Sequence, residues 1–484
     1  MQYRTLVLLI LMAGLFLNGC SGGSSGVGSS GQVNSSYTVS VSVVGLSPNS
    51  KITFKNNGTD TLIVSANGTF QFPTAMPNNA VYNVTISQQP SSELCSILPP
   101  SFNAGVIQGA NVNNLTFQCL STGNIVFETF HSFSQILVKG ELTVDKSGNF
   151  YGVPYGYGSP AVGEIYRVTP SGTQSILYTF GGPPSDGTQP NAGMIIDSSG
   201  NLYGTTQFGG TNGLGTGGLG TIFKLSPSGT ETVLYSFKGG VTDGSIPLPG
   251  LAMDNLGNIY GVTANDGAGG LGTVFKFTPT GIESVLHSFM GGVSDGGLPL
   301  GSPAIDGTGN LYVTTYAGPV GASIFKIAPN GVETLIHSFS GGFGPNGGLT
   351  IDASGNMFGT ATGGIYGYGS VFMISDSGVW SEIHSFTNGA DGGCPLGNLA
   401  LDSSGALYGT TSNNSNVSCS GLGVVYRMTP NSGSWQFEIL HTFTGTTDGG
   451  NPSPLTWDSS GNLYGTTQTG GQNNYGTIFK LSGL

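Results

Sequence analysis

The sequence predicts an all-β chain built around a seven-bladed β-propeller. Three observations carry that prediction. The first is composition: 85 of 484 residues are Gly and only 7% are charged. Long helix-forming runs of Ala, Glu, Lys and Leu are missing, so short strands joined by Gly-rich turns are the natural class. The second is repetition: DSSGNLYGTT stands at 197–206 and again at 458–467, and DSSGALYGTT stands at 402–411. The third is period. Asp145, Asp197, Asp254, Asp306, Asp352, Asp402 and Asp458 open like phrases at intervals near 50 residues, and several short strands per unit at that spacing is a propeller signature. Seven units give seven blades.

Each unit parses into four strands. Strand A is the apolar stretch before the Asp, as in AGMIID or GNLALD. The turn D-S-S-G-N follows, where Asp hydrogen-bonds the backbone beyond it and Gly takes the left-handed position. Strand B is LYGTT. A Gly-rich loop leads to strand C, seen in GTIFKLSP, GTVFKFTP, ASIFKIAP and GVVYRMTP, whose alternation reads as a half-buried strand. Strand D is TVLYSF, SVLHSF, TLIHSF or EILHTF. The last unit stops after its strand C at 476–481, while residues 124–133, ahead of the first strand A, read as an orphan strand D. The two ends are therefore expected to pair and close the ring, which removes the edges of an open array. The fourth unit departs most, with Tyr312-Val313-Thr314-Thr315 for YGTT and Pro345-Asn346-Gly347 where others have Asp-Gly.

Charge and the N-terminal segment bound the setting. A net charge of -12 with only 12 Lys and Arg excludes nucleic-acid phosphates as a natural partner. Arg4, the apolar run Leu6 to Leu17, and Leu17-Asn18-Gly19-Cys20 read as a signal segment too short to span a bilayer. The tetrapeptide resembles the lipobox of bacterial lipoproteins. That resemblance implies removal of 1–19, acylation of Cys20 as the membrane attachment, and, with Ser21 following, an outer-membrane or cell-surface location. Residues 20–36, rich in Ser and Gly, read as a flexible tether. With Cys20 lipidated, Cys95, Cys119, Cys394 and Cys419 remain and three pairings are open.

Residues 37–121 alternate in the manner of strands, with Asn57-Gly58 and Asn67-Gly68 as hairpin-turn signals. Their NNG, VSANGTF and YNVT stretches and terminal cysteine resemble the Ig-like modules of bacterial surface proteins. The resemblance implies a β-sandwich spacer or adhesive module and a Cys95–Cys119 bond. Residues 123–484, through D-S-S-G-N-L-Y-G-T-T, G-T-I-F-K-L and L-H-S-F, resemble the GloVer-type (choice-of-anchor) tandem repeat proteins over about three quarters of the chain. That resemblance implies the repeat and no particular reaction.

No catalytic constellation stands out. His131, His287, His337, His384 and His441 share one strand-D position with Tyr178 and Tyr235, which reads as packing with a polar tip. Arg167, Lys224, Lys276, Lys326, Arg427 and Lys480 share one strand-C position. Asp186, Asp243, Asp295, Asp391 and Asp448 lie in the Asp-Gly loops between units and read as turn caps. Each such loop offers one carboxylate, whereas calcium takes six to eight oxygens, so neither a metal nor a cofactor is expected. Asp60, Asp266, Asp376, Glu93, Glu141 and Glu164 fall outside repeat positions but are scattered. The Gly-rich run 209–220 lacks the helix and Lys of a phosphate cradle.

In a propeller the D-to-A and B-to-C connections emerge on one face. Here they are long and variable, so a ligand site is expected there. Cys394 and Cys419 of the sixth unit fall on that face and can bond. Tyr155, Tyr157, Tyr316, Tyr366, Tyr368 and Tyr475 offer ring faces on which a sugar can stack. The resulting expectation is a monomeric, lipid-anchored surface protein that binds glycan or protein without catalysis. The competing reading is an extracellular propeller enzyme acting on polysaccharide or lactone-like substrates.

Overall fold

The computed structural model describes residues 36–484 except 47, 49, 89, 91–92, 98–103, 122–124, 135, 139, 155–162, 213–216, 293–294, 318–320, 341–342, 413–418, 420 and 432. Every regular element among the described residues is a β-strand. The signal segment, Cys20 and nearly all of the tether lie outside them.

Up to Ser121 the strands form two four-stranded sheets and one short two-stranded pairing. The period-two alternation brings Val39, Val41, Val43, Leu115 and Phe117 of one sheet against Ile52, Phe54 and Val84 of the other in one core. Strand Val39–Val44 runs parallel to Val112–Ser121. Cys95 and Cys119 are register partners on neighbouring antiparallel strands and are bonded, so the bridge lies within one sheet. Asn57-Gly58 takes positive φ at both residues and turns the hairpin Ile52–Asn56 into Asp60–Val64. The turn expected at Asn67-Gly68 is a crossover instead. The strands flanking it join different sheets, and the Asn67 side chain clamps the loop at Leu46, bonding both its N–H and its carbonyl.

From Val126 onward the described residues form seven antiparallel sheets of four or five strands that follow one another. The third is representative: strand B is Ile259–Asp266, strand C Thr273–Phe277 and strand D Glu283–Ser288. Strand A comes in two pieces, Gly244–Pro247 and Ala252–Met253, both paired with strand B. The sequence motif marks only the second piece. Pro247 has no N–H for the ladder and interrupts pairing where the first piece ends. In the seventh sheet the outermost strand is Val126–Ser132, which pairs antiparallel with Thr477–Ser482 from the other end of the chain.

Strand C differs from the half-buried strand that its alternation predicts. Ile222 packs toward the third sheet, while Phe223 and Leu225 pack toward the first. Both faces are therefore apolar and covered, as in a strand enclosed on two sides. Fully burying a Phe such as Phe223 or Phe275 contributes about 1.5–3 kcal/mol. Seven core clusters repeat this arrangement, each shared by two consecutive sheets. The cluster of Tyr464 and Ile478 with Leu142, Phe150, Tyr166 and Val168 joins the last sheet to the first.

Two features of YGTT explain why the phrase recurs. A Cβ on its Gly would strike the strand-C ring: 2.5 Å from Phe275 at Gly261, from Phe372 at Gly359 and from Phe479 at Gly465. In the fourth sheet Val313 occupies that place, and the Phe325 ring lies instead against Gly296 and Thr315. Where the phrase keeps its first Thr, that hydroxyl latches one sheet to the next; the first and third sheets have Val153 and Val262 there instead. Thr314 Oγ1 donates to the Gly347 carbonyl (2.9 Å), Thr360 to Gly397 (3.1 Å), Thr410 to Ser453 (3.2 Å), and Thr466 to Gly140 in the first sheet (3.1 Å).

Candidate functional site

The Asp of each repeated turn is consumed by its own hairpin. In the third sheet Asp254 Oδ1 accepts the N–H groups of Leu256 and Asn258, and Oδ2 accepts the Asn258 amide (2.7 Å) and the Tyr260 hydroxyl (2.9 Å). Partial burial would raise its pKa, but these hydrogen bonds outweigh it and hold the carboxyl below its ordinary range. Asp306, with Thr308 and Asn310 as donors, is brought down to about 2. The strand-C cations sit over the same tyrosines: Lys276 Nζ is 5.7 Å from the Tyr260 ring centre and Lys224 5.7 Å from that of Tyr203. Arg427 pairs with Glu438 at 2.6 Å. These residues hold the hairpins.

The Asp-Gly loops do more than cap turns. At each junction between consecutive sheets, the polar tip near the end of one strand D meets the first part of strand D in the next sheet. The Tyr178 hydroxyl donates to Asp186 Oδ2 (2.9 Å), with Glu231 alongside. Tyr235 donates to Asp243 Oδ2 (2.8 Å), with Glu283 alongside. His287 Nε2 lies 3.2 Å from Asp295 Oδ1 and 3.3 Å from Glu333 Oε1. Aromatic rings replace the glutamate elsewhere: His337 stacks on Trp380, His384 on Phe437 (ring centres 4.0 Å apart) and His441 on Phe127 (3.5 Å). His131 meets Gln174 at 3.2 Å. Burial, reinforced by the neighbouring aspartate charge, pushes Glu231 and Glu283 up to about 7. Burial, together with the hydrogen bond to Asp295 and its charge, pushes Glu333 to about 8. Burial lowers the pKa of His337, His384 and His441.

Sequence reasoning missed these three glutamates. The signal was present: each stands four residues before the His or Tyr of its own strand D, at the position also held by Trp380, Phe437, Phe127 and Gln174. Reading each loop alone gave one carboxylate per junction. The second comes from the following sheet.

Glu141 is one of the acids that fall outside the repeat positions. It stands where Gly193, Gly250, Ser302, Gly348, Asn398 and Pro454 occur in other units. Its carboxylate lies beside Gly193, which itself abuts Gly250. The side chain is enclosed by protein yet partly reachable by water, and burial pushes it up to about 7.

The expected tyrosines separate by environment. Tyr155 and Tyr157 lie outside the described residues. Tyr316 is 70% exposed at the end of strand B of the fourth sheet, and Tyr366 is 59% exposed in the B-to-C connection of the fifth. Exposed Phe343, in the connection between those two sheets, lies where a Cβ on Gly363 would meet its ring, and exposed Ile365 precedes Tyr366. Tyr368 packs against a core cluster, and its carbonyl accepts the Cys394 N–H (2.7 Å). Tyr368 and Tyr475 occupy the place before a Gly where other units carry Leu219, Leu271 and Leu422, and Tyr475 is only 36% exposed. Cys394 and Cys419 are bonded, and, with Cys95–Cys119, this fits an oxidising compartment. No helix among the described residues is long and apolar enough to cross a membrane.

The family model of the Gloeobacter/Verrucomicrobia repeat matches residues 104–323 and 320–483. No curated protein matches the chain. Among solved structures, the chain is similar to a streptogramin B lyase at 17% identity and a TM-score of 0.49, covering 74% of this chain and 97% of that one. It is similar to virginiamycin B lyase from Staphylococcus aureus at 13% identity and a TM-score of 0.48, covering 74% and 98%. A luciferin-regenerating enzyme aligns at 11% identity and a TM-score of 0.39, covering 74% and 96%. No residue role transfers at these identities.

Proposed function

The chain belongs to the Gloeobacter/Verrucomicrobia repeat family, and from that premise we propose that its seven sheets are the blades of a closed β-propeller whose long-loop face binds a glycan without catalysis. The core shared by the last and first sheets and the Thr466 latch to Gly140 support closure. In this reading residues 37–121 are an Ig-like spacer, and a lipid on Cys20 holds the chain at the outer surface of the cell through the 20–36 tether. The observation that carries the binding role is the placement of exposed Tyr316, at the end of strand B of the fourth sheet, near in sequence to the connections that carry exposed Phe343, Ile365 and Tyr366 in sheets four and five. This is also where the repeat breaks, at Pro345-Asn346-Gly347. Tyr offers a rigid apolar face with a polar tip, the chemistry that recognises a pyranose ring. The repeat aspartates and the histidines are meanwhile engaged at turns and junctions.

The test is a glycan array with the full chain, repeated with Tyr316→Ala and Tyr366→Ala. Binding that drops at least about tenfold in either variant, at an unchanged melting temperature, is the expected result. Each lost ring–sugar contact is worth on the order of 1.4 kcal/mol in that case. Retention of a surface protein with no glycan would redirect the reading to protein recognition. Turnover of a polysaccharide or lactone without retained binding would overturn it.

A further inference from the structure

We propose that His287, Asp295 and Glu333 form a site for one divalent cation of the zinc class, clamping the third sheet to the fourth. The three groups come from different pieces of chain: strand D of the third sheet, the connection that follows it, and strand D of the fourth (Glu333–Ser338). One donor atom from each lies within 4.8 Å of the others. The two separations from His287 Nε2, 3.2 and 3.3 Å, match the edge of a tetrahedron about a zinc ion, about 3.3 Å for metal–ligand bonds near 2.0–2.1 Å. The residue types are those zinc accepts, one imidazole and two carboxylates.

The surroundings are those of a prepared site. The three side chains are only 12–15% exposed. Asp295 is fixed by two backbone donors, Met290 N–H to Oδ2 and Gly296 N–H to Oδ1, both at 2.7 Å. The His287 ring is set edge-on against Phe289. Glu333 Oε1 is buried and faces His287 Nε2, as the corresponding oxygens of Glu231 and Glu283 are buried at their own junctions. Among the described residues, no Lys or Arg pairs with either carboxylate, and the imidazole that faces both is His287, so a bound cation would supply the fixed counter-charge.

The other junctions act as internal controls, because none combines the three groups. Tyr178 and Tyr235 replace the histidine where Glu231 and Glu283 are present, and their hydroxyls donate to the aspartate. Trp380, Phe437 and Phe127 replace the glutamate where histidine is present, and their rings stack on it. The same scaffold is thus closed by a phenol, by a ring stack, by the His131–Gln174 pair or, at this junction alone among the described residues, by three ligand atoms.

The experiment uses the full chain stripped with a chelator and titrated with Co²⁺, read by its visible d–d absorption, with Zn²⁺ as competitor. One equivalent of Co²⁺ with the intense bands of a four- or five-coordinate ion, displaced by Zn²⁺, is expected. Bound Zn²⁺ should also raise the melting temperature. His287→Tyr, which installs the residue that two other junctions already carry, should weaken binding at least about tenfold while leaving the circular dichroism unchanged. Glu333→Gln should do the same and stands in if the first variant does not fold. His384→Tyr, which alters a junction with only two such ligands, should bind as the wild type does. Absence of stoichiometric Co²⁺ would mean that the cluster holds a proton instead, and would overturn the proposal. Equal affinity in His287→Tyr and Glu333→Gln, or loss in His384→Tyr, would overturn it as well.

Discussion

At the scale of single residues, the backbone carries strain at one repeated place. Gln189, Ile246, Leu298, Cys394 and Asn451 all have φ between 52 and 56°, and each directly precedes a proline. The N–H groups explain why the chain accepts this. Ile246 donates to the Leu219 carbonyl, Leu298 to Leu271, Cys394 to Tyr368 and Asn451 to Leu422, each reaching the B-to-C connection of the preceding sheet at 2.7–2.9 Å. A left-handed residue costs about 1–2 kcal/mol, less for Asn and most for a β-branched side chain. Ile246→Asn, which copies Asn451, should therefore stabilise the protein by roughly 0.5–1 kcal/mol in a denaturant titration. A lower midpoint would show that the half-buried Ile246 side chain contributes more than its backbone costs. Sequence reading could not anticipate this conformation, because a residue before proline is biased to extended geometry. It did anticipate the Asp turns, since an Asp two and four residues ahead of its N–H partners acts locally and needs no tertiary context.

At the scale of strands, what was legible depended on whether a strand's role is written in its own residues. The orphan strand ahead of the first unit was readable because Phe127 to Phe133 repeats the spacing of every other strand D, and it pairs with the terminal strand C. Its value to the fold rests on one face. Phe127 contacts His441, Phe443 and Phe479, whereas its neighbour Val126 is exposed. Phe127→Ala should cost about 3 kcal/mol and Val126→Ala less than about 0.5 kcal/mol, both by equilibrium unfolding. Equal effects would mean that the pairing, and not the ring, latches the ends. The split of strand A, the crossover at Asn67 and the second carboxylate at the junctions of Glu231, Glu283 and Glu333 were not legible. In each case the deciding partner lies in another sheet, and a one-dimensional motif does not say which sheets touch. Tyr368 and Tyr475 show the same gap from the other side: their type pointed to a ligand, but their repeat position is one that Leu fills as packing.

At the scale of the whole molecule, two sets of carboxyl groups pull stability in opposite directions with pH. Asp145, Asp197, Asp254, Asp306, Asp448 and Asp458 have pKa values below 3.8 when folded, because hydrogen bonds outweigh the burial that would raise them. Their contribution is present above that value and is lost as pH falls toward about 2. Glu141, Glu231, Glu283 and Glu333 are raised from 4.5 to about 7–8, by burial foremost. Their protonated forms suit the fold, so stability is full below 4.5 and declines as pH rises through 7–8. His337, His384 and His441 are lowered, mainly by burial, and oppose this trend below 6.5, but the glutamate displacements are the larger ones. Melting temperature in the presence of chelator should therefore peak near pH 4–5 and fall toward pH 8. Glu141→Gln and Glu231→Gln together should flatten the fall on the neutral side without moving the acid limb. A peak at pH 7–8 in the wild type would mean that the enclosed glutamates are ionised in the fold with partners of their own. Adding Zn²⁺ should then selectively restore stability on the neutral side, where Glu333 gives up its proton to a cation, and His287→Tyr should abolish that recovery while leaving the chelator profile in place.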